Sequence, residues 1–274
     1  MQVSAVRPTC PWDSEAMSAF RVVQRTGSTN TDLIAAASAD PGQWPHLSVL
    51  LAREQTAGKG RAGRTWTSTT IRSLTFSVLL RPSAPRQRWG WLPLVAGLAA
   101  VRTLRARADQ PDRIALKWPN DVIDHNGGPP LAGWGTWRKL GGILTEVVPA
   151  GDAAVAGIGL NVEGPELPVE WAGTLAAAGV GEIQHDDDMD ALAQAITTEL
   201  GRLITAFDDG GELRGHIAQV CATLGQQVHA DQPGGSAIQG IAVELADDGG
   251  LVVRSGGTEH TIRAGDVRRL RAGD

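Results

Sequence analysis

The chain has 274 residues, 42% of them apolar, and a formal net charge of −5. That length favours one large domain with a smaller one, and the mild acidity argues against a general nucleic-acid surface. No apolar run approaches a membrane span, Arg7, Pro8 and Pro11 interrupt any signal-peptide pattern, and two cysteines are too few for a disulfide scaffold. A reduced, cytoplasmic setting is expected. The six histidines are scattered without metal-ligand spacing, so no metal site is expected.

Residues 1–20 show no sustained period and read as a tail. "STNTDLIAAASAD" (Ser28 to Asp40) predicts a helix, with Ser28 or Thr29 as N-cap and Asp32 placed for a capping box with Thr29. "LSVLLAR" (Leu47 to Arg53) and "LTFSVLL" (Leu74 to Leu80) are apolar runs of strand length. Between them lies "GKGRAGRTWT" (Gly58 to Thr67), rich in glycine and cations. "LPLVAGLAAVRTLRARA" (Leu92 to Ala108) has the spacing of a core helix. "IALKW" (Ile114 to Trp118) predicts a third strand, and His125 to Arg138, dense in Gly and Pro, a loop. Leu140 to Val148 and Ala154 to Val162 predict a hairpin, followed by a loop over Glu163 to Gly173. Met189 to Phe207 is an amphipathic helix whose start is marked by Asp186, Asp187 and Asp188, an acidic run that complements the helix dipole. A shorter helix is predicted over Leu213 to Leu224. From Gly225 onward the pattern is short alternating segments separated by turns, as in a small β-barrel.

Only three lysines occur, Lys59, Lys117 and Lys139, against a background of arginine. Each lies in an unusual local sequence. "GKGRAGRTW" combines glycines, which let backbone N–H groups face an anion, with cations. It lacks the Gly-Lys-Ser/Thr of a Walker loop and the helix that follows a dinucleotide fingerprint. A flexible surface loop is the plain alternative. In "LKWPND", Lys117 sits in an apolar strand and must reach solvent or meet an anion. "KLGGILTE" and "GIGLNV" place glycines in strands, as close approach of a ligand or a bulge requires. Four such segments together point to one site.

Taken in order, "GSTN", "EQTAGKGRAGRTW", "KWPNDV", "KLGGILTE", "GIGLNV" and the terminal barrel resemble the biotin protein ligases, over about residues 22 to 271. The resemblance implies an α+β fold: a mixed-sheet catalytic domain of the class II synthetase and biotin–lipoate ligase type over 21–222, then an SH3-like β-barrel over 223–274. It implies an enzyme that makes biotinyl-5′-AMP from biotin and ATP with Mg²⁺. The enzyme then moves biotin to a lysine of a biotin carboxyl carrier domain.

The resemblance also assigns roles. Ser28, Thr29, Asn30, Gln55, Gly58, Lys59, Gly60 and Gly142 would bind biotin or its adenylate. Lys117 would be the essential lysine near the carboxylate and α-phosphate, and Arg61 a second catalytic cation. Arg64, Trp66, Asn120 and Asn161 would hold the nucleotide. A monomer or a ligand-dependent homodimer is implied, and no membrane partner. Too few residues precede the matched region for a helix-turn-helix domain, so DNA binding is not expected. Lys59 stands where the family usually has arginine, and the stretch His125 to Arg138 is longer than the family pattern, with no assigned role. A lipoate or octanoate ligase and a non-enzymatic nucleotide-sensing module are the alternatives.

Overall fold

The computed structural model describes residues 19–66, 71–165, 167, 169–181, 183–211, 213–231, 237–263 and 266–269. The expected tail lies almost wholly outside that set, but Phe20 belongs to a strand. β1 (Phe20–Thr26) pairs in parallel with β2 (Val49–Gln55), and α1 (Thr29–Ala39) connects them. A small hairpin follows, β3 (Gly58–Lys59) with β4 (Thr65–Trp66). β5 (Arg72–Leu80), α2 (Leu92–Arg105), β6 (Ile114–Lys117), β7 (Asp121–Asp124), β8 (Arg138–Val147) and β9 (Ala154–Glu163) complete the larger unit with α3 (Asp186–Asp208) and α4 (Arg214–Val220). The seven-stranded sheet has the order β1-β2-β5-β9-β8-β7-β6 and is antiparallel except for β1–β2.

Period-two patterning decides what each face of this sheet meets. Leu74, Phe76, Val78 and Leu80 of β5, with Ala154, Ala156, Ile158, Leu160 and Val162 of β9, point into the main core. There they meet α2, buried nearly all round, and the Leu192, Ile196, Leu200, Leu203 and Phe207 stripe of α3. Fully burying one such side chain contributes about 1.5–3 kcal/mol. The alternate residues face the other way. One end of that second face is covered by α1, where Leu33 and Ala37 pack on Leu50, Leu79 and Val155. The remainder carries Thr75, Ser77, Gly157, Gly159 and Asn161, and it is here that the cleft lies.

Several boundaries differ from expectation for identifiable reasons. Ser28, extended at φ −155, is the N-cap of α1 and accepts from Thr31 N. Thr29 is already helical, and Asp32 takes the hydroxyl of Thr26, so no capping box forms with Thr29. α2 ends at Arg105, not Ala108, as the chain turns through residues 106–107. α4 stops at Val220 because Cys221 and Ala222 leave the helix to cover β6: Ala222 N donates to Leu116 O at 2.8 Å. β7 was not expected; its four residues are joined to β6 by a turn of only three.

The last five strands form a separate antiparallel sheet: β10 (Gln227–Asp231), β11 (Ala237–Leu245), β12 (Leu251–Ser255), β13 (Thr258–Ile262) and β14 (Asp266–Arg269), in the order β13-β12-β11-β10-β14. Gly256 and Gly257, at φ 55 and 84, make the β12–β13 turn, which demands positive φ at both positions. Val228, Ala242, Leu251, Val253 and Ile262 merge with the main core. Two indoles fasten the units together. Trp91 Nε1 donates to Asp247 O at 2.7 Å, and the buried Trp118 Nε1 donates to Gly249 O at 3.0 Å.

Trp118→Phe removes the second bond and leaves the Gly249 carbonyl buried without that donor, which costs about 1–3 kcal/mol. Urea unfolding should show the loss, and an unchanged midpoint would show that this bond does not fasten the small sheet.

Candidate active site

The cleft encloses about 560 Å³ on the open part of the sheet. Three chemically different zones line it. The first is neutral and hydrogen-bonding. Ser28, Thr29 and Asn30, at the N-terminus of α1, are all buried. Gln55 Oε1 accepts from Thr29 N at 2.9 Å and Thr29 Oγ1 at 3.2 Å. Ser77 Oγ lies 2.8 Å from Thr29 Oγ1 and donates to Asn30 Oδ1 at 2.6 Å. Asn30 Nδ2 in turn donates to Leu144 O and to Glu146 Oε2 at 2.8 Å. Gly157 is required here, since a Cβ would sit 2.3 Å from Asn30 Oδ1.

The second zone is a charge cluster. Lys117 and Asp121 face each other across β6–β7, with Nζ 3.7 Å from Oδ2. Lys139, from β8, brings its ammonium to 2.6 Å from Asp121 Oδ1. Burial alone would raise the Asp121 carboxyl, but Lys139 and Lys117 outweigh it and hold the group below its ordinary range. Burial pushes the Lys117 ammonium below the ordinary lysine value; Asp121 opposes that shift and Lys139 adds to it.

The third zone is the glycine–arginine loop with its aromatic neighbours. The β3–β4 hairpin is closed by a 3-10 turn over Arg61–Gly63, with Ala62 and Gly63 at φ 54 and 73. Arg61 Nη1 reaches Asn120 Oδ1 at 3.3 Å, and Asn120 Nδ2 donates to Ile143 O. Burial lowers the Arg61 guanidinium from its ordinary value. Lys59 Nζ donates to Thr31 Oγ1 at 3.0 Å, tying the loop to α1. Trp66 lies flat on β9, where only glycine fits: a Cβ on Gly159 would come within 2.6 Å of its ring. Its indole N–H is buried without a partner among the described residues and suits an acceptor on a ligand.

The expected site residues therefore converge. Ser28, Thr29, Asn30, Gln55, Lys59, Gly60, Arg61, Arg64, Trp66, Lys117, Asn120, Gly142 and Asn161 all line the cleft. Gly58 does not. It packs against Gln55, where a Cβ would meet Nε2 at 2.4 Å. Thr75, Asp121, Trp134, Trp171 and Arg268, which had no expected role, also line it, as does Lys139, one of the three lysines whose segments point to one site. Thr75 was signalled by the alternation of "LTFSVLL", and Lys139 by its place before two strand glycines. Among the described residues, six cations line the cleft against one carboxylate, in a protein of net charge −5. Such a site selects an anion.

Residues 22–163 match the Biotin/lipoate A/B protein ligase family, and 223–269 match the biotin protein ligase C-terminal domain. The chain belongs to this ligase family. It is 38% identical over 254 residues to a biotin--[acetyl-CoA-carboxylase] ligase of Mycobacterium tuberculosis, covering 91% of this chain and 88% of that one. A ligase of the same name from Paracoccus denitrificans is 31% identical, covering 90% and 98%. The biotin protein ligase of Aquifex aeolicus, solved with biotin and ATP, superposes with a TM-score of 0.73 at 26% identity, over 92% of this chain and 99% of that one.

Because its folded value is lowered, Lys117 destabilises the fold at neutral pH. That penalty is full below the folded value and disappears as pH rises through it to the ordinary lysine value. Lys117→Met should therefore be more stable than the wild type at pH 7, with the difference shrinking in alkali; Lys139 still pairs Asp121. A lower melting temperature for the variant at pH 7 would contradict this.

Proposed function

We propose that this chain activates biotin with ATP to biotinyl-5′-AMP and then transfers biotin to a lysine of a biotin carboxyl carrier domain. The observation that carries the reading is the meeting of three kinds of lining in one cleft of a ligase-family protein. A neutral hydrogen-bonding cluster, two ammonium groups sharing one carboxylate and a cationic, aromatic loop all line it.

Biotin's ureido head is neutral, with N–H donors and a carbonyl acceptor, and it suits the Ser28–Thr29–Asn30–Gln55 cluster. Its carboxylate then falls at Lys117 and Lys139. A carboxylate oxygen attacks the α-phosphorus, and the bond to pyrophosphate breaks with its electron pair. Negative charge accumulates there between reactants that repel each other. Fixed ammonium groups in a buried site offset that repulsion without reorganisation. Lys139 is the more open of the two, with 17% of its side chain exposed against 9% for Lys117. In the second step the carrier amine attacks the acyl carbon, the bond to the phosphate oxygen breaks, and AMP leaves as the amine gives up its proton.

Magnesium enters as part of the nucleotide substrate, held by triphosphate oxygens and water. Among the described residues no cluster of three metal-ligating side chains exists to hold it otherwise. Arg64, Trp66 and Asn161 flank the nucleotide end, and Arg61 draws the loop towards Asn120. The carrier belongs to a biotin-dependent carboxylase, as the relatives' name suggests. No helix described is long and apolar enough to cross a membrane.

Biotin-dependent pyrophosphate exchange, with lipoate as the control acid, tests the first step. Lys117→Ala and Lys139→Ala should each reduce exchange by about 10²–10³-fold. Exchange near the wild-type rate in both variants would remove the lysines from the reaction.

Arg61→Gly should act on retention instead. Losing the guanidinium frees the loop and adds backbone entropy to its closure. Faster escape of biotinyl-AMP, weaker biotin binding and diffuse labelling of bystander lysines are expected, measured by mass spectrometry of added proteins. Labelling confined to the carrier lysine would show that Arg61 is not what holds the loop shut.

A further inference from the structure

The long Gly/Pro/Trp-rich stretch before β8 is the one sequence feature that the reaction has not absorbed. Trp134, at its tip, stacks on Trp171 with ring centroids 4.9 Å apart and planes within 1° of parallel. The two indoles come from separate irregular segments, and each is fixed. Gly133 and Gly135 flank Trp134 at φ 70 and 58, a reversal that carries it back over the sheet, closed by Gly135 N donating to Leu131 O. Trp171 O accepts from Lys139 N at 2.8 Å, and Gly173 N donates to Lys139 O, so that segment is laced to β8 at Lys139 itself.

The stack faces the charge cluster. Lys117 Nζ lies 4.9 Å from the Trp134 ring centroid, and Lys139 Nζ lies 6.0 Å from that of Trp171. An ammonium over an indole face is attracted by the ring quadrupole and is shielded from water on that side. Both indoles line the cleft. A parallel separation of 4.9 Å also leaves no room for a planar base between them, so the pair acts as one wall.

We propose that the stacked Trp134–Trp171 pair is a clamp over the reaction centre, positioning the Lys117 and Lys139 ammonium groups and keeping water off the activated intermediate. The proposal rests on the ligase reading. The reaction it suppresses is hydrolysis: water attacks the acyl carbon of the adenylate, the bond to the phosphate oxygen breaks, and biotin and AMP are released. Trp134 and Trp171 act through the lysines and through exclusion of solvent, and are positioning residues.

Three lysines in the whole chain make a clean test. Wild type, Trp134→Ala, Trp171→Ala and Trp134→Phe, all as full chains, are pulse-acetylated with acetic anhydride, and each lysine is read by mass spectrometry. Exposed Lys59 is the internal reference. In parallel, AMP release with biotin and Mg-ATP but no carrier is measured against pyrophosphate exchange. The alanine variants should label Lys117 and Lys139 faster relative to Lys59, and should raise the ratio of AMP release to exchange by about fivefold or more. Trp134→Phe, which keeps an aromatic face, should restore both. Unchanged labelling in the alanine variants would overturn the clamp, as would faster labelling with an unchanged ratio. Absence of biotin-dependent exchange in the wild type would overturn the ligase reading and the shielding role with it, while the labelling pattern would still tell the two failures apart.

Discussion

One carboxylate held between a buried ammonium group and a partly buried one is the constraint on which the cleft depends. Asp121 is 8% exposed, and Lys117 is 7% exposed. Such charges persist in a poorly solvated site only if they are paired. That requirement fixes the geometry around them. The three-residue turn between β6 and β7 brings Lys117 opposite Asp121, and the β7–β8 register brings Gly142 opposite the same aspartate. Lys139 can then fold back over Gly142, where a Cβ would lie 3.2 Å from its Nζ. The cluster still carries a net positive charge, which an anion would neutralise.

The second constraint is the two-faced sheet. One face is covered by α2 and α3 and must be apolar. The other is only partly covered by α1 and is free to carry hydroxyls, amides and bare backbone. The same strands therefore supply stability and chemistry through alternate residues. This is why β5 gives both Phe76 to the core and Thr75 to the cleft, and why β9 gives Ile158 to one side and Gly159 to the other.

Local chemistry made much of this legible in the sequence. The cation-rich glycine loop, Lys117 inside an apolar strand, the paired glycines of β8 and the alternating end of the chain each announce themselves within a few residues. What stayed hidden depends on distant partners. Asp121 stands within a recognisable motif, yet its meaning depends on Lys139, eighteen positions on. Trp134 and Trp171 are unremarkable until two irregular segments fold against each other. β1 was missed because half its residues are exposed, so it lacks the apolar run that betrays β2 and β5. β7 was missed because four residues give no period to read. The packing of Gly58 against Gln55 was hidden because the sequence cannot say which glycines of a loop make room for a neighbour.

Trp118 has a consequence for the architecture as a whole. It follows Lys117 directly in the chain, and its backbone N–H donates to the Thr223 hydroxyl at 2.9 Å while its indole is anchored in the small sheet. The junction between the two units is thus one peptide from Lys117. A chain cut after Ala222 would still contain almost every residue of the cleft, yet the indole N–H groups of Trp91 and Trp118 would lose their acceptors and the strand end bearing Lys117 would lose its backing. The small sheet is therefore no detachable appendage: the strand end that carries Lys117 leans on it.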